Sequence, residues 1–393
     1  MTVVFKHGKI AGDPESFARL IARFEDLNPD IRVKDEPLPA TTDEQHQFYA
    51  INMEGESSDF DVLSMDVVWV PEFARAGWLR NLSDVLPPAR RDSFFSAPMT
   101  AVTYGGNVYA IPWYIDAGVL YYRKDLLEKY GFAPPTTWLK LVRAASHIAK
   151  MEPDMYGFVW QGKQYEGLVC NVLEYMWGNG GDVIQAGDVV IDSPQNREAL
   201  DFMKDLIFRY EVSPALVTTS IEETTRHIFG NGRAVFMRNW PYAWTIFERP
   251  GSPVRGKVGV AMLPRFPGHE TASTLGGWQL GVNAYSEHPK EAERLIEFLT
   301  SYESQKTLAL TVGYKPTLKS LYADPELRGA QPFMAGLYEI MEHARPRPVT
   351  PYYMMISQVM QPEFSAALAG VKDTEEALAS ARRQIQFILR TED

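Results

Sequence analysis

A small set of acids, aromatics and one arginine could together do recognition chemistry: Asp66, Tyr114, Asp116, Trp240, Tyr242, Trp278 and Arg347. Ionised carboxylates only accept hydrogen bonds, so they suit hydroxyl protons, whereas a guanidinium only donates and suits oxygens. Tyr and Trp add broad apolar faces that carry a polar handle. A pyranose has an apolar face to stack and an edge of hydroxyls to bond, so a sugar is the ligand this mixture asks for. The densest stretch is Ser273–Val282, STLGGWQLGV, where Gly276 and Gly277 interrupt a strand-like run beside Trp278. Without a Cβ, the backbone there can take positive φ or come close to another group.

Each of these residues also has a plainer reading. Asp66 could cap a helix, Trp240 and Tyr242 could be core, Trp278 could be a core ring beside a bulge, and Arg347 could form a surface ion pair. Asp13 stands in an N-cap position ahead of Pro14, a role compatible with ligand contact because helix N-termini present unpaired N–H groups. Asp66 and Asp116 could instead act as an acid pair in a glycoside-acting enzyme, which needs two carboxyls flanking the scissile bond.

Other chemistries find no signature. The seven His are scattered without H-E-x-x-H, and no G-x-S-x-G elbow, Walker-A loop or G-x-G-x-x-G follows a strand. Gly178-Asn179-Gly180-Gly181 lacks the Lys-Ser/Thr that phosphate binding needs and reads as a turn. No metal or organic cofactor is expected. A single cysteine, Cys170, excludes an intrachain disulfide.

With 393 residues the chain exceeds one ordinary core, and 45% hydrophobic with 23% charged residues is a globular balance. The net charge of −11, with acids and bases interspersed, gives no cationic field for nucleic acid. Nine Trp, nineteen Tyr and twenty Phe exceed what packing obviously requires, which again favours a flat ligand. No apolar run is long enough to span a membrane. The N-terminus lacks a signal profile, so either the protein is cytoplasmic or a signal segment has been removed, and the opening MTVVFKHGKI, a Met before a first strand, favours the second.

Short apolar strands alternate with one-faced helices from Val3 to Asp66, with Phe17, Leu20, Ile21 and Phe24 marking the first helix face and Asp66 expected just after its strand. That order predicts an α/β fold with mostly parallel sheets covered by helices, whose ligands bind beyond the carboxyl ends of strands. Crossovers between two bodies are expected near Asp116 and Gly276. The rest alternates likewise, and from Ala323 onward the pattern is helical, broken by Arg345-Pro346-Arg347-Pro348.

The sequence resembles the extracellular solute-binding proteins of carbohydrate ABC importers over essentially its whole length. GVLYYRKDLLEKYGF followed by PPTTW, FGNGRAVF and SYESQKTLA carry the general likeness. SSDFDVLSMDVVW, YIDAGVLYYRKDLLEKYG, GFVWQGKQYEGLVC, RNWPYAW, TLGGWQLGV and PRPVTPYY narrow it to the trehalose/maltose-binding group. The resemblance implies a two-lobed periplasmic-binding-protein fold, each lobe a mostly parallel sheet flanked by helices. One lobe would comprise 1–114 plus 274–322 and the other 115–273 plus 323–393, joined by hinge crossovers around a ligand cleft. It implies that Asp66 and Asp116 accept hydroxyl protons and that Tyr114, Trp240, Tyr242 and Trp278 frame the sugar rings. Arg347 would donate to sugar oxygens, and the backbone at Gly276 and Gly277 would approach the ligand. Asp13 stands where a relative carries Glu, and Gln45 and His46 where it carries arginines, which leaves the sugar open. The implied function is delivery of an α-linked glucose-containing disaccharide, unaltered, to an ABC permease, by a monomer that is periplasmic or extracellular, with lipid anchoring left open.

Overall fold

The computed structural model describes residues 1–10, 13–39 and 41–391. Along the chain run β1 (Thr2–His7), α1 (Pro14–Leu27), β2 (Arg32–Pro37), α2 (Thr42–Glu54), β3 (Val62–Asp66) and β4 (Ile111–Ala117). Then come β5 (Val119–Arg123), α3 (Trp138–Met151), β6 (Tyr156–Val159), α4 (Glu166–Gly178), α5 (Pro194–Phe208), α6 (Glu222–Gly230), β7 (Ala234–Asn239) and β8 (Val258–Ala261). The chain continues with β9 (Leu275–Val282), α7 (Pro289–Leu299), α8 (Tyr302–Thr311), β10 (Lys315–Pro316), α9 (Tyr353–Leu368) and α10 (Thr374–Thr391).

Contacts divide the chain into two compact units, Met1–Asp116 with Leu275–Glu342 and Val349–Tyr353, and Ala117–Thr274 with His343–Pro348 and Met354–Asp393. Against the boundaries expected at 114/115 and 273/274, the chain passes between units at Asp116–Ala117 and Thr274–Leu275. Residues 323–342 and 349–353, expected in the second lobe, belong instead to the first unit. There the short helices Pro325–Ala330 and Met334–Glu342 bury Leu327, Met334, Leu337, Ile340 and Met341, and Leu327 packs with Ala309 and Leu321. A helical pattern reveals an apolar face but not which sheet will cover it.

The first unit is built on a six-stranded sheet in the order β10-β4-β9-β3-β1-β2. Asp13 caps α1 and Pro14 opens it, and Phe17, Leu20, Ile21 and Phe24 are buried, a one-faced helix over a sheet. The strands β1, β2 and β3 pair in parallel, but β9 runs antiparallel to β3 and β10 antiparallel to β4. The second unit has a four-stranded sheet, β8-β5-β7-β6, in which only β7 and β6 are parallel. The α/β class holds, yet the sheets are mixed rather than mostly parallel. Parallel pairing within a sheet needs a crossover of about a dozen residues. The parallel neighbours β1, β2 and β3 are joined by the helical crossovers α1 and α2, whereas β9 and β10 reach the same sheet much later in the chain and run antiparallel to β3 and β4. Helix α4 is buried at every position, so it serves as the second unit's central helix rather than as a surface helix.

Candidate functional site

In the first unit, pairing of β9 with β3 sets Trp278 directly opposite Asp66. Asp66 ends its strand instead of following it, and Oδ1 accepts the Val68 N–H at 3.2 Å as the chain turns away. The Val67 N–H donates to the Gly277 carbonyl at 3.2 Å, which ties this turn to the glycine pair. At Gly277 φ is +113°, and a Cβ there would lie 2.4 Å from the Tyr114 carbonyl oxygen and 2.8 Å from the Ile115 Cα. Only glycine fits so close a backbone approach. Trp278 is half-buried and meets the edge of Trp69 at 5.5 Å and 83°.

The neighbouring strand β4 brings Tyr114 and Asp116 to one face by the two-residue period of a strand, with Trp113 and Ile115 on the buried face. Tyr114 stacks on Tyr314, centroids 3.8 Å apart and 17° from parallel. Burial first, then Tyr314 and the charges of Asp116 and Asp66, push the Tyr114 phenol well above its ordinary pKa, so it keeps its proton and can donate. Behind this face, Lys315 pairs in register with Ile115, is fully buried, and donates to Gln331 Oε1 at 2.6 Å. Burial brings its pKa down to about 7 against the opposing pull of the Asp116 carboxylate. The first unit therefore assembles Asp66, Tyr114, Asp116, Gly277 and Trp278 into one neighbourhood, with Gly276 buried beside them on β9.

In the second unit, β7 delivers Arg238 into the core and Trp240 just past its end. Arg238 binds Glu174 of α4 through Nε at 2.9 Å and Nη2 at 2.5 Å, and both side chains are 1% exposed. Two charge-assisted bonds hold the carboxylate against the burial that pushes its pKa up. Gly118 leaves room for the pair, since a Cβ there would stand 1.9 Å from Glu174 Oε1. The same guanidinium lies 4.1 Å from the centroid of half-buried Trp240. The indole N–H donates to Glu222 Oε1 at 3.3 Å, and the Tyr242 hydroxyl to Glu223 Oε1 at 2.9 Å. Burial and then the Glu223 charge push the Tyr242 phenol well above its usual pKa.

Arg347 corrects the plain reading of a surface ion pair. It is 2% exposed, and Nη1 donates to Glu166 Oε1 at 2.7 Å, while the Ser357 hydroxyl bonds the other carboxylate oxygen. The oxygens of Asp13 are engaged within its own helix: Oδ1 accepts the Glu15 N–H at 3.1 Å and Oδ2 accepts the Ser16 hydroxyl at 2.6 Å. The Ser16 bond holds its pKa below the usual value. His46 bonds Glu72 at 2.9 Å and packs on Trp69 and Phe73; Gln45 donates to the Pro39 carbonyl at 2.8 Å. A concavity of about 660 Å³ in the first unit, lined by Arg91, Ser96, Thr100, Thr103 and Lys319, shares no residue with these clusters. Among the described residues no group of three or more His, Cys, Asp or Glu could hold a metal ion.

Sequence reasoning did not single out Tyr314, Lys315, Trp69, Glu166, Glu174, Glu222 or Glu223. Adjacent acids in a first helical turn, as Glu222 and Glu223 are, ordinarily answer the helix dipole. Only the proximity of two ring donors gives them another meaning.

The profile of the family described as bacterial extracellular solute-binding protein matches residues 8–306. The chain belongs to that family. A probable ABC transporter-binding protein of Deinococcus radiodurans is 40% identical over 356 residues, covering 89% of this chain and 84% of that protein. The maltose-bound structure of MalE3 from T. maritima is 43% identical, covers 98% of this chain and 99% of its own, and superposes with a TM-score of 0.94. A mannitol-binding protein of Pseudomonas aeruginosa is 26% identical over 395 residues, covering 93% of this chain and 88% of that protein. As an extracellular solute-binding protein, the chain has among its described residues no helix long and apolar enough to cross a membrane.

Proposed function

We propose that this protein captures an α-linked glucose-containing disaccharide of the trehalose, maltose or sucrose type and delivers it to an ABC permease. The observation that carries the reading is the whole-chain likeness to a structure with maltose bound. The chemistry agrees with it. In the first unit, Asp66 and Asp116 accept hydroxyl protons and Tyr114 donates, with Trp278 as a stacking face and the backbone of Gly276 and Gly277 close by. In the second unit, Trp240 and Tyr242 offer further faces to a ring, and Arg347, held in place by Glu166, donates to sugar oxygens. Asp13, as the cap of α1, keeps a carboxylate at a helix N-terminus, with both oxygens engaged by Glu15 and Ser16. A relative named for mannitol makes the polyols a class to test beside the disaccharides.

The test is calorimetry of the purified protein with trehalose, maltose, sucrose and mannitol, followed by sugar analysis of the mixtures. The expected result is a Kd in the micromolar range or tighter, about −8 kcal/mol, for at least one disaccharide, recovered intact. Binding of mannitol alone, or release of glucose in step with protein over minutes, overturns it.

A further inference from the structure

We infer that Glu222 and Glu223, side by side at the start of α6, are positioning residues that fix the planes of Trp240 and Tyr242 for stacking on a sugar ring. This rests on the placement of the two rings proposed above and adds what orients them. Trp240 is held on three sides. Its backbone N–H donates to Asn239 Oδ1 at 2.8 Å, and its carbonyl accepts the Tyr121 hydroxyl at 2.9 Å. One ring face lies against the Arg238 guanidinium, itself immobilised by Glu174 and by Gln161 Oε1 at 3.2 Å. The indole edge, the remaining degree of freedom, is fixed by Glu222.

Glu222 is itself held. Its Oε2 accepts the Tyr165 hydroxyl at 2.7 Å, and its carbonyl accepts the Asn239 amide at 3.1 Å and the Thr225 hydroxyl at 3.0 Å. The helix start and the strand end that carries Trp240 are thus bonded through both backbone and side chain. Glu223 does the same for Tyr242 and is steadied by Arg226, whose Nε lies 3.1 Å from each carboxylate oxygen. Adjacent residues on a helix point in different directions. The two carboxylates therefore bond Trp240 and Tyr242 separately, and neither bond is needed to satisfy the helix backbone. A half-buried ring tethered by its polar edge presents one plane to a ligand, so a sugar with its hydroxyls differently disposed meets a fixed surface rather than an adaptable one.

The experiment uses the full chain and compares Glu222→Ala, Glu222→Gln, Trp240→Phe, Trp240→Ala and the double variant Trp240→Phe/Glu222→Ala. It reads affinity for maltose and trehalose by calorimetry, tryptophan near-UV circular dichroism, and melting. Glu222→Ala is expected to weaken binding about tenfold and to reduce the tryptophan dichroism, with Glu222→Gln recovering most of both because it retains an acceptor. In the Trp240→Phe background, which has no indole N–H, Glu222→Ala is expected to change affinity no further. Equal losses in both backgrounds, or a Glu222→Ala protein that melts lower with affinity unchanged, overturn the positioning role and leave a helix-dipole acid. If Trp240→Ala itself leaves affinity unchanged, the placement of that ring at the sugar fails instead.

Discussion

The two units present aromatic and acidic groups by different means. In the first, geometry is set by backbone: Gly277 lies against the β4 chain, Trp278 faces Asp66 across a ladder, and Tyr114 lies on Tyr314. In the second, it is set by ions: Arg238 with Glu174 behind Trp240, Glu222 and Glu223 at the ring edges, Arg347 with Glu166. Backbone contacts tolerate almost no substitution but ignore pH and salt. Side-chain ion pairs can be retuned residue by residue, yet breaking one when buried leaves an uncompensated charge. The first unit should therefore fail abruptly and the second by degrees.

The sharpest test is Gly277→Ala. With φ at +113° and a carbonyl oxygen 2.4 Å from the new Cβ, either β4 or β9 must shift. A loss of about 3–5 kcal/mol in urea unfolding is expected, together with loss of binding. An alanine variant of wild-type stability would break the contrast.

Next in size are the stacking faces. Trp278→Ala and Trp240→Ala are each expected to weaken sugar binding by about 2 kcal/mol or more, read by calorimetry. Melting separates the units: Trp240→Ala also uncovers the Arg238 side of a buried pair and should lose more stability than Trp278→Ala. The reverse order would mean that the first unit depends on side-chain packing after all.

Lys315 is the place where the contrast could fail, since it is a fully buried cation within the backbone-built unit. Its folded pKa of about 7 lies below the ordinary lysine value of 10.5, so between these pH values the unfolded chain binds more protons than the folded one. Stability from this group is therefore lost as pH falls through 7 and regained as pH rises toward 10.5. Lys315→Met is expected to gain about 2 kcal/mol at pH 6, with the gain shrinking by pH 10, in urea unfolding at each pH. A gain that does not change with pH would show that packing, not charge, is the cause.

The smallest effect is expected at Asp13. Its carboxylate is occupied with Glu15 and Ser16, so Asp13→Glu should alter the ratio of trehalose, maltose and sucrose affinities only slightly. A large change in that ratio on calorimetry would mean that the cap also faces the ligand.

Much of this is legible in the sequence alone. Asp13-Pro14 followed by Phe17, Leu20, Ile21 and Phe24 announces α1 because capping and helical period are local properties. The glycine pair announces a close approach because no other residue permits one. Strand direction was not legible: alternation of faces looks the same in a parallel or an antiparallel neighbour. Arg347 looked exposed because prolines flank it, yet its partner Glu166 lies 181 positions earlier and reaches it only through folding. Glu222 and Glu223 carry no signal of their own for the same reason, since a ring donor some eighteen positions away leaves no mark on local spacing.

The missing side chain at Gly277 also constrains descent. A mutation there would have to be accompanied by a displaced neighbouring strand, two coincident changes rather than one. The second unit, built on side-chain pairs, accommodates single replacements with graded consequences instead.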